Sequence, residues 1–249
     1  FTFLPPFCRC HQFMELYAVH SHQMFVITIY QPADYAETLL NLGHVVADFA
    51  VRRERIRGQV IKAAEALGGR PDLDDELLDE VTALNEWPRP ITGTFDEGFL
   101  EVPHEALVLT MKENQKYFPL FDQDGLLMNH FITIANIDSP RPELIKEGNE
   151  RVVRPRLADA MFFWQEDQKS KLETRLEPLK KVVYQAKLGT SFEKIERFTE
   201  LATGLAQQFA PADLDLTRRA AQLAKCDLET GMVYEFPELQ GVMGREYAL

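Results

Sequence analysis

Strand-like alternation and Asp/Gly turn chemistry are confined to residues 89–138, and from Pro140 onward the chain reads only with helical spacing. That segregation excludes a regularly alternating parallel βαβ sheet and predicts an α+β fold, a mixed N-terminal module followed by an all-helical region. Ile91 to Phe95 and Phe99 to Val102 read as short strands flanking Asp96-Glu97-Gly98, with a helix expected from about Pro103 to Met111. Lys116 to Phe121 and Leu126 to Ile137 form a predicted hairpin around Asp122-Gln123-Asp124-Gly125. Upstream, Pro32-Ala33-Asp34 opens one long amphipathic helix through Leu39, Val46, Ile56 and Val60 to Leu67, where Gly68-Gly69 stops it. A second helix starts at Asp72, carries Leu77, Leu78, Val81 and Leu84, and ends at Trp87-Pro88. Downstream, Pro155 is expected in the first turn of a helix bearing Leu157, Met161, Phe162 and Trp164, with further helices to the end.

A length of 249 residues with 45% apolar side chains is enough to bury a sizeable core. No fixed-period repeat appears, and the apolar runs fall well short of the roughly 20 residues that cross a bilayer. Three Cys give no disulfide framework and fit a reducing compartment. The net charge of −12 argues against a protein coated in nucleic acid, but its distribution is uneven. Residues 141–200 hold 13 basic and 11 acidic groups, the one stretch with a positive balance. A first residue that is Phe1, and a last run Arg245-Glu246-Tyr247-Ala248-Leu249 without a terminating signal, read as a piece of something longer.

Chemistry-bearing residues are sparse. Cys8, Cys10, His11, His20 and His22 are the ligand types zinc prefers, but their spacing lacks the C-x2-C of a zinc knuckle, so incidental residues are the better reading. Asp122 to Gly125 is too short for a calcium loop and suits a hairpin turn. Arg151, Arg154 and Arg156 flank Pro155, where guanidinium forks at a helix start would hold phosphate or carboxylate; the alternative is an internal ion-pair network with Glu147, Glu150 and Asp159. Lys169, Lys171, Arg175, Lys180 and Lys181 extend the basic strip, either as solvated faces or as a shared RNA-facing surface. There is no Gly-rich phosphate loop, no G-x-S-x-G, and no catalytic residue is assigned. Cys226-Asp227 is expected on a helix, with Cys226 either a small core residue or a reactive thiol.

Five long strings carry a resemblance: EVTALNEWP (80–88), FLEVPHEALVLTMKENQKYFPLFD (99–122), GNERVVRPRLADAMFFWQED (148–167), AKCDLETGMVYEF (224–236) and QGVMGREYA (240–248). The chain closely resembles the β subunit of bacterial heterotetrameric glycyl-tRNA synthetase from about Ile29 to the end, leaving 1–28 unmatched. The resemblance implies a domain at 29–150 akin to the β-rich module of phenylalanyl-tRNA synthetase, and a truncated helical HD-like domain at 151–249. It further implies a cytoplasmic α2β2 enzyme without membrane attachment. The α subunit carries catalysis with ATP and Mg, β engages tRNA(Gly), and this chain binds no cofactor of its own. In the HD superfamily, a His on one helix and a later His-Asp pair hold metal. Here Leu188-Gly189-Thr190-Ser191 and Cys226-Asp227 take those places, and no His follows His130, so no metal ligand is assigned. The expected function is support of tRNA(Gly) binding and of assembly with α, with Arg151, Arg154 and Arg156 as tRNA-contacting residues. The alternatives are a metal-dependent HD phosphohydrolase and an assembly module that never touches RNA.

Overall fold

The computed structural model describes residues 14–20 and 23–249. The chain forms two compact units, one running to Glu97 and resuming at Thr110–Arg154, the other made of Gly98–Leu109 and Pro155–Leu249.

The first unit is α+β. An antiparallel hairpin, β1 (Met14–His20) and β2 (Gln23–Ile29), leads into the single-turn α1 (Tyr35–Thr38) and the long α2 (Phe49–Glu65). Strand β3 (Arg70–Pro71), α3 (Asp75–Leu84), β4 (Arg89–Thr94), β5 (Phe118–Phe121) and β6 (Leu127–Ala135) follow, and the strands form an antiparallel sheet ordered β3-β5-β6-β4. The expected turn between β5 and β6 forms as its residues dictate. Asp122 Oδ1 accepts the N–H groups of Asp124 and Leu126, both at 2.9 Å, and Gly125 supplies φ 84°.

Ile56, Val60 and Ala64 recur every fourth residue along α2, and with Leu77, Leu78 and Val81 of α3 they pack on Phe118, Leu120, Ile132 and Ile134 of the sheet. Phe131 stacks on Tyr117 with ring centroids 4.5 Å apart. Its partner across the β4–β6 ladder is Gly93, where any Cβ would overlap the Phe131 ring.

Three sequence expectations in this part of the chain are corrected. The single helix from Pro32 to Leu67 is broken: a short helical stretch ends at Gly43, His44 takes the left-handed conformation at φ 51°, and α2 restarts behind Asp48, whose carboxylate accepts the Val51 N–H at 2.9 Å. The buried Arg52 accounts for the gap. Its guanidinium donates to the carbonyls of Val46 and Thr82, and a continuous helix would have spent the Val46 carbonyl internally. The expected strand at Phe99 to Val102 is instead a 3-10 turn over Glu97–Glu101, closed locally by Val102 N–H on the Phe99 carbonyl at 3.0 Å, and α4 (His104–Leu109) follows it. Pro155 does not start a helix. It lies inside α5 (Pro142–Asp167), which opens instead at Pro142, behind the Ser139 hydroxyl that accepts the Arg141 N–H. The polar run at 146–151 hid the first turns from a periodicity argument.

In the second unit, α5 leads through 3-10 turns at Leu172–Arg175 and Pro178–Lys181 to α6 (Ser191–Phe209), α7 (Leu214–Leu223), α8 (Gly231–Glu235) and α9 (Val242–Glu246). The expectation of no strands after Pro140 is also corrected. A small antiparallel hairpin, β7 (Val183–Gln185) and β8 (Gly189–Thr190), precedes α6, too short for its alternation to register in the sequence. Thr190 and Glu193 close the start of α6 as a capping box. Leu172, Leu179, Ile195, Leu223 and Cys226 form this unit's core. Among the described residues, no helix is long and apolar enough to cross a membrane.

Two glycines give opposite expectations. Gly93→Ala destabilises the protein by about 1–3 kcal/mol through overlap with Phe131. Gly58→Ala, in the exposed interior of α2 with open space around it, stabilises by roughly 0.5–1 kcal/mol. Chemical denaturation of the two variants checks both signs.

A pH dependence follows from Asp74, the N-cap of α3. Its bond from Lys112 Nζ at 2.6 Å, helped by the N–H groups of Leu77 and Glu76, holds its carboxyl below the ordinary value against the opposing effect of burial. Because the folded value is depressed, this stabilisation is present above the unfolded carboxylate value of about 3.9 and is lost as pH falls through the folded one. Asp74→Asn therefore flattens the acid limb of the stability profile between about pH 5 and pH 3, measured by urea midpoints across that range.

Candidate nucleic-acid interface and the buried carboxylates

The three arginines singled out by sequence all lie on α5 and are exposed. At 100° per residue, Arg151 and Arg154 share one face of the helix, whereas Arg156 stands about 140° from Arg151 and on the opposite side from Arg154. They are therefore two arginines and one, rather than a single three-forked cradle. Their interior position also removes the expected contribution of a helix amino end to anion binding. Among the described residues, no ion pair joins them to Glu147, Glu150 or Asp159, so the alternative of an internal network is not formed. Glu150 is engaged elsewhere, accepting the Thr94 N–H and hydroxyl at 2.8 and 2.9 Å and lying 3.7 Å from Lys146.

Of the residues that extended the basic strip, Arg175 is a structural clamp. It donates to both the carboxylate and the carbonyl of Asp167 at 3.0 and 3.1 Å and to the Glu229 carbonyl. Lys169 pairs with Glu166, and Lys180 with Glu177. Lys171 and Lys181 are exposed.

Sequence reasoning missed Asp167, at the end of α5 and 5% exposed. Its Oδ1 accepts from Gly231 N–H and Arg175, and its Oδ2 from Met232 N–H and the Tyr247 hydroxyl, all between 2.9 and 3.0 Å. Burial, and then the charge of Asp167, push the Tyr247 phenol well above its ordinary value. The signal that would have found Asp167 is weak, the second of two adjacent acids after an aromatic run, ahead of an Arg eight residues on.

Cys226-Asp227 lies in a 3-10 turn over Cys226–Glu229 rather than on the expected α-helix; Thr230 N–H and hydroxyl both return to the Asp227 carbonyl and close the turn. The Asp227 side chain is fully buried, and its Oδ2 accepts the N–H groups of Gly241 and Gly244 at 2.5 and 3.2 Å. It is thus turned to backbone at the start of α9. Ser191 is buried at the head of α6. Among the described residues, no three His, Cys, Asp or Glu side chains come together as a metal site. The cluster of Cys8, Cys10, His11, His20 and His22 lies outside the residues whose side chains are described.

With this geometry in place, comparison with known proteins gives the class. A family model described as glycyl-tRNA synthetase beta subunit matches residues 9–249, beginning inside the segment 1–28 that the sequence set apart. The glycine--tRNA ligase beta subunit of Syntrophotalea carbinolica is 55% identical over 205 residues, covering 82% of this chain and 30% of the relative. That of Hahella chejuensis is 49% identical over 227 residues, covering 91% and 33%, and that of Vibrio vulnificus 50% over 221, covering 89% and 32%. These similarities place the chain among families of aminoacyl-tRNA synthetase subunits. The chain belongs to the glycyl-tRNA synthetase beta subunit family, and it spans about a third of the length of the curated relatives it matches.

Cys226 separates the two readings of its thiol. It is fully buried in the core, and burial, then the charges of Asp227 and Glu173, push its thiol up to about 11. At pH 8 an alkylating probe should modify Cys226 only as fast as the helical unit opens, with labelling located by peptide mass spectrometry. Fast labelling of Cys226 in folded protein would restore the reactive-thiol reading.

Proposed function

We propose that this chain forms part of a glycine--tRNA ligase β subunit that supports tRNA(Gly) binding and assembly with a catalytic α subunit in a cytoplasmic α2β2 enzyme. ATP and glycine, with Mg, give glycyl-adenylate and pyrophosphate on α; glycine then passes to the tRNA end, and this chain holds no cofactor. The observation that carries the reading is the family match over residues 9–249, joined to identities near 50%.

The hydrolase alternative loses its support in the helical unit. Cys226 stands where a metal-binding His would be and is packed into the core, and one Asp227 oxygen is occupied by backbone N–H groups. The assembly reading has an observation of its own. Leu201, Leu205 and Phe209 recur every fourth residue along α6 and are 68%, 59% and 79% exposed, an apolar stripe suited to another protein surface.

On the tRNA side, Arg151 and Arg154 act as one phosphate-facing pair, and Arg156 contacts RNA from its own side of α5. In the full-length synthetase, replacing Arg151 and Arg154 by Gln should weaken tRNA(Gly) binding and flatten its log–log salt dependence by roughly 0.7–0.9 per lost contact. The thermal midpoint should stay put, since neither guanidinium holds an ion pair among the described residues. A lowered midpoint with an unchanged salt slope would return these arginines to a structural role. An unchanged slope in a well-folded variant would leave the assembly reading.

A further inference from the structure

Between Lys180 and Arg197 the chain places five basic residues against two acidic ones, in a protein of net charge −12. The fold brings this segment together as the β7–β8 hairpin and the first turns of α6. Glu193, one of the two acids, is committed to the capping box, where it accepts the Thr190 N–H at 2.7 Å. Lys180, Arg218 and Arg219 are paired with carboxylates. By contrast, among the described residues Lys181, Lys187, Lys194 and Arg197 make no ion pair.

The same segment carries an aromatic ring that the core does not use. Tyr184 is 48% exposed, and Lys194 Nζ sits 3.7 Å from its ring centroid. Lys187 and Arg197 line one concavity beside the hairpin, together with Glu193, Glu196 and Glu200. On the helical wheel of α6, Glu196 and Glu200 fall to the far side of Arg197 from Lys194, so they flank the patch on one side. Cations without ion pairs in the same segment as an exposed ring suit a chain that alternates phosphates with flat bases, because every base has a face to stack whatever its identity. An acidic peptide would use the charges but not the ring.

We propose that the β7–β8 hairpin and the head of α6 form an RNA-contacting surface, in which Lys181, Lys187, Lys194 and Arg197 neutralise phosphates and Tyr184 stacks an unpaired base. The inference rests on the proposed function, in that the RNA is the synthetase's own tRNA, and it adds residues other than the α5 arginines.

The test uses the full-length synthetase and tRNA(Gly), with binding followed by fluorescence anisotropy across a salt series. Lys187→Gln with Arg197→Gln should flatten the salt slope by about 1.5 in total, at roughly 0.7–0.9 per contact, without moving the thermal midpoint. Tyr184→Ala should weaken binding about tenfold, and Tyr184→Phe should restore most of it, because the ring and not the hydroxyl does the stacking. Both exchanges lie on exposed positions, and the Phe variant keeps the test sharp if the Ala variant loosens the hairpin. An unchanged slope and affinity in the double variant, with wild-type binding intact, overturns this surface and leaves the proposed function standing. Absence of tRNA binding by the wild-type enzyme overturns both. If tRNA binding survives while binding of polyglutamate is lost in the double variant, the surface belongs to an acidic protein partner and the inference falls.

Discussion

The helical unit depends on one saturated carboxylate. Asp167 gathers donors from the 3-10 turn at 172–175, from the first turn of α8 and from the C-terminal Tyr247, so that segments far apart in sequence share a single acceptor group. Gly231 fits closely beside it, since a Cβ there would press on the Phe163 ring at 2.8 Å. A buried charge is tolerated only when it is hydrogen-bonded, and here four donors, one of them a paired guanidinium, meet that condition together. With Asp167 accepting at α8 and Asp227 at α9, these helices can be as short as five residues each. Helices of that length have no independent stability, and their amide groups need an external acceptor.

The split between what the sequence disclosed and what it concealed follows the reach of each interaction. The β5–β6 hairpin was legible because Asp122 and Gly125 act within four residues. The core of α2 and α3 was legible because Ile56, Val60, Leu77, Leu78 and Val81 repeat with the helix itself. The break at 44–48 was not, since it is driven by Arg52 reaching the Thr82 carbonyl 30 residues away. The start of α5 was missed because Pro155 imitates a helix opening and the true opening at Pro142 precedes a polar run. The family resemblance in the quoted strings agrees with the comparisons, whereas the arrangement of Arg151, Arg154 and Arg156 required knowing that one helix runs through all three. Asp167 was concealed for the same reason as the Arg52 contact, its donors lying eight to 80 residues downstream.

The acidic balance of the chain is not spread evenly over its folded surface. Acidic side chains do much of the internal bonding: Asp48 and Asp74 cap helices, Asp72 and Asp74 hold Lys112, and Asp75 and Asp79 hold Arg53. Carboxylates engaged in this way contribute less to the field met by an approaching polyanion than the formal charge suggests. Net charge read from composition is therefore a poor guide to what this protein binds. The distribution of unpaired cations is the better one.

The edge of the four-stranded sheet has its own consequence. Strand β4 is outermost, and since the Thr94 N–H turns away from β6 to meet Glu150, residues 90, 92 and 94 are the ones that face outward. Position 90 is a proline with no N–H to offer, and the donor of Thr94 is already taken, which leaves Thr92 as the one outward donor of the strand. An incoming strand would find almost no ladder to join, so this margin is protected against fibril-like growth and accidental pairing during synthesis. A neighbour that meets the α+β unit at this margin does so through side chains, not by adding a strand to β4.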